Sequence, residues 1–216
     1  MNPPPWTSRL KKAAEILIIH HWDSDGISSA AIFTRFLKNM GERSLNITYA
    51  VPSAGTYRLL PGVNLNIPPR SYSLIAVLDY SAPKEDILYL KEQFQVPIVI
   101  YDHHLREPVD EEDIFYYNPV ARGESGKSWP STTWVLKKYL KLPVSSLVVM
   151  GIAGDLEERF LPGGFRNFPE VKEYLDSDKE QYFRYVRAKS LIDIHYKEND
   201  EKILTRLAST LLELDG

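Results

Sequence analysis

Two knots of polar residues end runs that are otherwise apolar. Pro97-Ile98-Val99-Ile100-Tyr101 stops at Asp102-His103-His104, and Ile16 to Ile19 leads through His20 into His21-Trp22-Asp23-Ser24-Asp25-Gly26. Four of the five histidines lie in or beside these knots. A hydrophobic core has no use for imidazoles and carboxylates at such points, whereas a divalent cation does. The chain has no cysteine, so any metal must be held by nitrogen and oxygen. His21, Asp23 and Asp25 are spaced by two; in extended chain their side chains would converge on one patch while Trp22 and Ser24 face away. Asp79 closes a third apolar run, Ser73 to Leu78. Each carboxylate alone has an ordinary reading, Asp25 as a helix cap and Asp79 as a turn residue. Gathered together they repel unless cations neutralise them, so the cluster itself implies metal. Asp155 follows the small apolar run Val148-Val149-Met150-Gly151-Ile152-Ala153-Gly154. Read alone, it is a helix-end residue facing water, although glycines on either side of Ala153 would let that helix approach another backbone closely.

The elements that must position these residues follow from hydrophobic pattern. Ile16 to His20, Ser73 to Leu78 and Val96 to Tyr101 are apolar without alternation, as strands covered on both faces are. Leu45 to Val51 alternates, and Ile114 to Tyr117 is a short strand before Asn118-Pro119. Helices are expected from Thr7 or Ser8 to Glu15, Ile27 to Met40, Lys84 to Phe94, Trp134 to Leu140 and Ser145 to Glu158. Pro52 to Arg70 reads as loop. The order of strands and helices predicts an α/β fold, a doubly wound parallel sheet flanked by helices, with an all-helical segment beyond Pro169. That segment is expected around Lys179 to His195 and from Asp200 to Leu214, where Ile203, Leu204, Leu207, Leu211 and Leu212 form an apolar stripe. In a parallel sheet the carboxyl ends of the strands form the ligand-binding edge, and three of these strand ends carry the candidate ligands.

A net charge of −3 and 44% apolar content describe an ordinary globular chain with no overall basic field to draw it onto nucleic acid. No stretch approaches a membrane span, and Met1-Asn2-Pro3-Pro4-Pro5-Trp6 lacks the features of a signal peptide, so a cytoplasmic location is expected. A serine or cysteine nucleophile is disfavoured, since cysteine is absent and no Gly-x-Ser-x-Gly elbow occurs.

The motifs HWDSDG, Leu78-Asp79, YDHH and GIAGD, in that order, resemble the four signature motifs of the DHH phosphoesterase superfamily. The His-x-Asp-x-Asp-Gly form looks most like its RecJ-like nuclease branch, especially archaeal members. The resemblance implies two divalent ions, usually Mn²⁺ with Mg²⁺ or Co²⁺ as substitutes, and hydrolysis of phosphoester or phosphoanhydride bonds. It places His21 and Asp23 on one ion, Asp25, His103 and Asp155 on the other, and Asp79 between them. Asp102 would orient His103, and His104 would face the substrate phosphate. Arg122, Lys127, Ser131, Thr132 and Arg159 are weaker candidates for phosphate contacts, and Tyr57, Trp129 and Trp134 for base stacking. His20 is expected to be a core or supporting histidine, and His195 structural.

Residues 1–160 would form the catalytic domain and 161–216 a helical extension packed on it or starting a linker. The C-terminal substrate-binding domain usual in the superfamily is not expected here; Gly163-Gly164 is too short for its glycine-rich motif. The chain would then be a catalytic portion or a stand-alone member, its site completed by a second subunit or a replication or repair protein. The favoured function is a RecJ-like exonuclease on single-stranded DNA, RNA or short oligonucleotides. The alternatives are a phosphatase or phosphodiesterase for small nucleotides or pyrophosphate, and a non-catalytic replication-associated scaffold.

Overall fold

The computed structural model describes residues 4–10, 13–41, 44–156, 168–176, 184, 187–188, 191–192 and 201–214. After a 3₁₀ turn at Pro5–Arg9 come β1 (Ala13–His20), α1 (Ser24–Lys38), β2 (Ser44–Ala50), β3 (Leu74–Leu78), α2 (Lys84–Phe94), β4 (Ile98–Tyr101) and β5 (Ile114–Tyr117). Helices α3 (Thr132–Tyr139), α4 (Ser146–Leu156), α5 (Pro169–Asp176) and α6 (Glu201–Leu214) follow. The five strands form one parallel sheet in the order β2-β1-β3-β4-β5. Strands β3 and β4 are buried along their whole length, which is why they read as unbroken apolar runs.

Between β1 and β3 the order reverses direction: the chain steps outward one way through α1 to β2 and the other way through α2 to β4. Right-handed crossovers then put α1 and α2 on opposite faces and leave a crevice at the reversal. Register decides what lies in it. His20 pairs with Leu78, Leu78 with Tyr101, and Tyr101 with Tyr117. Four strands therefore stop at one level, and His21, Asp79, Asp102 and Asn118 emerge side by side. The ladder continues one step beyond the strands, with the amides of His21, Asp79 and Asp102 donating to the carbonyls of Leu78, Tyr101 and Tyr117.

The expected helix from Thr7 to Glu15 is not formed. Beyond the 3₁₀ turn the chain enters β1 three residues earlier than its apolar run suggests, pairing Ala13, Ala14 and Glu15 with Ser44, Leu45 and Asn46. Pairing to a neighbouring strand overrides the helical preference of Ala and Glu. Helix α1 likewise starts at Ser24, before Gly26.

Helices α3, α4 and α6 all pack on α1, and α6 also meets β2. The buried Leu204 and Ala208 make the late apolar stripe part of the core. Arg159, Gly163-Gly164, His195 and much of the stretch expected around Lys179 to His195 lie outside the described residues. Among the described residues no helix is long and apolar enough to cross a membrane.

Candidate metal centre

The turn after β1 splits its three candidate ligands. Asp23 is the N-cap of α1, accepting from the Gly26 amide at 2.9 Å, with its other oxygen 2.6 Å from His21 Nδ1. Gly26 has no room for a side chain: a Cβ would stand 2.5 Å from the His21 carbonyl oxygen. The first turn of α1 thus lies directly on His21. Because the helix has already begun, the extended i, i+2, i+4 arrangement does not hold. Asp25 leaves on the other side, fully buried, and accepts from the Thr132 and Thr133 amides at 2.6 and 3.0 Å. These are the first amides of α3, whose positive end favours an anion.

Asp79 stands between the two halves. Its backbone is left-handed (φ 57°), a conformation aspartate tolerates better than most residues. One oxygen accepts from Thr132 Oγ1 at 2.9 Å and lies 3.6 Å from His103 Nε2; the other is 3.9 Å from His21 Nδ1. His103 turns its Nδ1 to the Trp129 carbonyl at 3.2 Å. A carbonyl only accepts, so that nitrogen carries the proton and Nε2 faces Asp155 Oδ2 at 2.9 Å.

Asp155 reaches the cluster because α4 packs flush against its neighbours. A Cβ on Gly151 would collide with Asp25 Oδ1 and Thr133 Oγ1, and one on Gly154 with Ser24 Oγ. The reading of Asp155 as a water-facing helix end is corrected by this contact.

Asp102 does not orient His103. It bonds His104 Nδ1 at 2.8 Å, and its other oxygen accepts from Asn118 Nδ2 at 3.0 Å. Asn118 also donates to the His104 carbonyl and accepts from the Ala121 amide, closing a buried clamp around the Asp102–His104 pair. Sequence reasoning misses Asn118; the signal that could have found it is its place after β5, at the level where ligands follow the other strands.

The charges are crowded. Burial first, then Asp25, Asp23, Asp155 and Asp102, pushes the Asp79 carboxyl well above its ordinary range. Burial and Asp25 push Asp155 up to about 7. Burial lowers His103, but the Asp155 carboxylate more than offsets it and holds the imidazole up to about 10. Burial raises Asp23 as well, yet the adjoining His21 brings it below its usual value.

The donor set fits a divalent cation. His21 Nδ1, Asp79 Oδ2, His103 Nε2 and Asp155 Oδ2 are buried and, their ion-pair contacts aside, have no hydrogen-bond partner. Ligand atoms of His21, Asp23 and Asp79 lie within 4.8 Å of one another, as do those of Asp25, Asp79, His103 and Asp155. Asp79, His103 and His104 form a third, overlapping set.

The weaker candidates fare differently. Ser131 and Thr132 are fully buried and not available to substrate: Ser131 caps α3 through the Trp134 amide, and Thr132 holds Asp25 and Asp79. Arg122 is paired at the surface with Asp110 at 2.6 Å, and Lys127 is exposed. Trp134 is core, edge-on to Phe168; Trp129 donates to Glu124 and serves through its carbonyl. Tyr57 stays exposed beside His21. His20 is fully buried, Nδ1 on the His21 carbonyl, and burial brings it down to about 4.

A family model described as DHH family, N-terminal domain matches residues 15–155. The chain belongs to the DHH family. The matched DHH span runs from β1 to the last residue of the ligand cluster. Among solved structures, this DHH chain is similar to the DHH domain of a member of a family of ribosomal proteins, with 17% identity and a TM-score of 0.54, covering 93% of this chain and 55% of that one. It is also similar to exonuclease RecJ bound to manganese (16% identity, TM-score 0.46, 94% and 63% covered). An exopolyphosphatase-related protein from Bacteroides fragilis shows 19% identity and a TM-score of 0.45, with 80% and 56% covered. The chain spans between 55 and 63% of the length of these three proteins. No curated protein matches it.

The crowding has a measurable consequence in the metal-free protein. Groups whose folded pKa is raised, as for Asp79 and Asp155, contribute stability that is full below the unfolded value near 4 and lost as pH rises through the folded value. With chelator present, the melting temperature should therefore fall between about pH 4 and 7, the window set by Asp155. Mn²⁺ should reverse the fall, and its stabilising shift should grow with pH over the same range. Thermal scans from pH 4 to 8 with and without Mn²⁺ check this; a Mn²⁺ shift that is absent or shrinks with rising pH would contradict it.

Proposed function

We propose that this DHH chain is a two-metal phosphoesterase of the RecJ-like kind, an exonuclease that releases nucleotides from an end of single-stranded DNA, RNA or short oligonucleotides. The observation that carries the reading is a pair of ligand sets sharing Asp79 at the switch point of the sheet. His21, Asp23 and Asp79 would hold one ion, and Asp25, Asp79, His103 and Asp155 the other. Oxygen donors with a few imidazoles suit Mn²⁺ or Mg²⁺. Bound there, the ions would supply Lewis-acid stabilisation of phosphoryl charge and acidify the attacking water.

The remaining work falls to the Asp102–His104 pair. Burial lowers His104, but its bond to Asp102 raises it overall, so the ring tends to keep its charge. With Nδ1 held by Asp102 and the side chain 39% exposed, His104 is placed to donate from its other nitrogen to a phosphoryl oxygen. Asn118 keeps the pair from swinging.

A second reading, hydrolysis of small phosphorylated nucleotides or pyrophosphate, is favoured by the pairing of Arg58 with Asp86 and Arg122 with Asp110, which withdraws two cations from any backbone track. A second subunit or a replication or repair protein is the proposed partner that would complete the site.

End-labelled single strands, dinucleotides, cyclic dinucleotides and pyrophosphate, each incubated with Mn²⁺ or chelator, separate these readings. Metal-dependent release of mononucleotides from strand ends is expected. Turnover of small substrates alone would transfer the assignment to the second reading, and no turnover at all would leave a non-catalytic scaffold.

A further inference from the structure

Tyr57 lies outside the ligand set, yet the protein holds it firmly at the rim. It is 52% exposed, while the aromatic neighbours Trp22 and Tyr80 are buried. The ring lies nearly parallel to the His21 imidazole, 18° between planes and 6.5 Å between centroids, and within 6.2 Å and 6.4 Å of Trp22 and Tyr80. Tyr57 is thus the outer layer of an aromatic stack whose inner layer includes a candidate ligand.

Both flanks of Tyr57 are fixed. On one side the Thr56 carbonyl accepts from Tyr80 OH and the Thr56 hydroxyl from Asn64. On the other, Arg58 forks onto Asp86, and the same buried carboxylate accepts from the Leu59 amide at 2.7 Å. A buried aspartate from α2 and an aromatic hydroxyl therefore immobilise a loop segment whose own side chain stays in water. The part of Tyr57 left in water gains nothing for folding, but on a rigid backbone it presents aromatic surface at no ordering cost to a ligand.

We infer that Tyr57 is a stacking platform for the base of a nucleotide whose phosphate lies at the His21–Asp79–His103 cluster. The inference rests on the phosphoesterase reading and narrows it to substrates that carry a base next to the scissile phosphate. Tyr57 packs against the ring of His21, a candidate ligand, so the platform lies beside the ion cluster.

Calorimetric titration of 5′-AMP and of ribose 5-phosphate into Mn²⁺-supplemented protein tests the platform. Wild type and Tyr57→Phe should favour AMP by about tenfold, and Tyr57→Ala should bring the ratio close to one. Equal affinities in wild type, or a ratio that survives Tyr57→Ala, would overturn the inference. So would a parallel loss of both ligands, which would make Tyr57 a prop for His21. Hydrolysis of a dinucleotide is followed on the same samples. A Tyr57-dependent base preference without cleavage supports the platform and rejects only the catalytic reading; cleavage without any base preference rejects only the platform.

Discussion

Asp79→Asn should abolish metal-dependent hydrolysis and, in chelator at pH 8, raise the melting temperature above that of the wild type. Both effects come from the position of this carboxylate between the two ligand sets. As the residue shared by both, it is the one whose loss leaves each ion a donor short. A fall in rate on the order of 10³-fold or more is expected, roughly 4 kcal/mol of transition-state stabilisation. Without metal the same carboxylate is a liability, buried among the charges of Asp25, Asp23, Asp155 and Asp102, with one oxygen lacking a hydrogen bond. Asparagine keeps the acceptor for Thr132 Oγ1 and removes the charge. The raised folded pKa sets the sign: the destabilisation is present at pH 8 and absent below about pH 4, so the gain from asparagine should shrink as the protein is acidified. A variant less stable than wild type in chelator at pH 8, or one that keeps a full Mn²⁺ shift, would refute this account of the cluster.

Asp25→Asn should behave in the opposite way. Asp25 is also buried in the cluster, but its two oxygens accept the opening amides of α3. An amide in its place points a donor at one of those N–H groups and removes the negative charge at the helix start. Two effects compete, relief of repulsion with Asp79 and Asp155 and loss of two short charge-assisted bonds in a buried site. The second should win, because the amides have no water to turn to. We expect a loss of about 2–4 kcal/mol in metal-free stability, together with loss of Mn²⁺-dependent turnover. Chemical denaturation in chelator measures the first effect and the single-strand assay the second. Equal or greater stability than wild type would mean that charge crowding outweighs the link between α1 and α3.

Much of this centre is legible because its ligands end apolar strands. His21, Asp79 and His103 announce themselves by type against a background of Ile, Leu and Val. The parallel α/β architecture follows from the same runs. Hydrogen-bond partners are harder to read. Asp102 and His103 are neighbours in sequence, but adjacent residues at a strand end diverge, so Asp102 meets His104 and Asn118 instead. Ser131 and Thr132 are legible as residues that can start the helix at Trp134, but nothing local says that this helix begins underneath the cluster. Asp25 reaches the expected neighbours through a different geometry, since the start of α1 at Ser24 is hidden by the glycine two residues later. The early helix fails because its residues complete an edge pairing with β2, a relation that local propensity does not contain.

The level ends of β1, β3, β4 and β5 make the centre a gauge of the sheet. Sliding β3 by one residue against β1 would carry Asp79 about 3.3 Å along the strand axis and reverse the faces of the side chains behind it. Neither ligand set would then close. Ion binding would therefore select the correctly paired sheet over its slipped alternatives, joining strand alignment and cation affinity in one equilibrium.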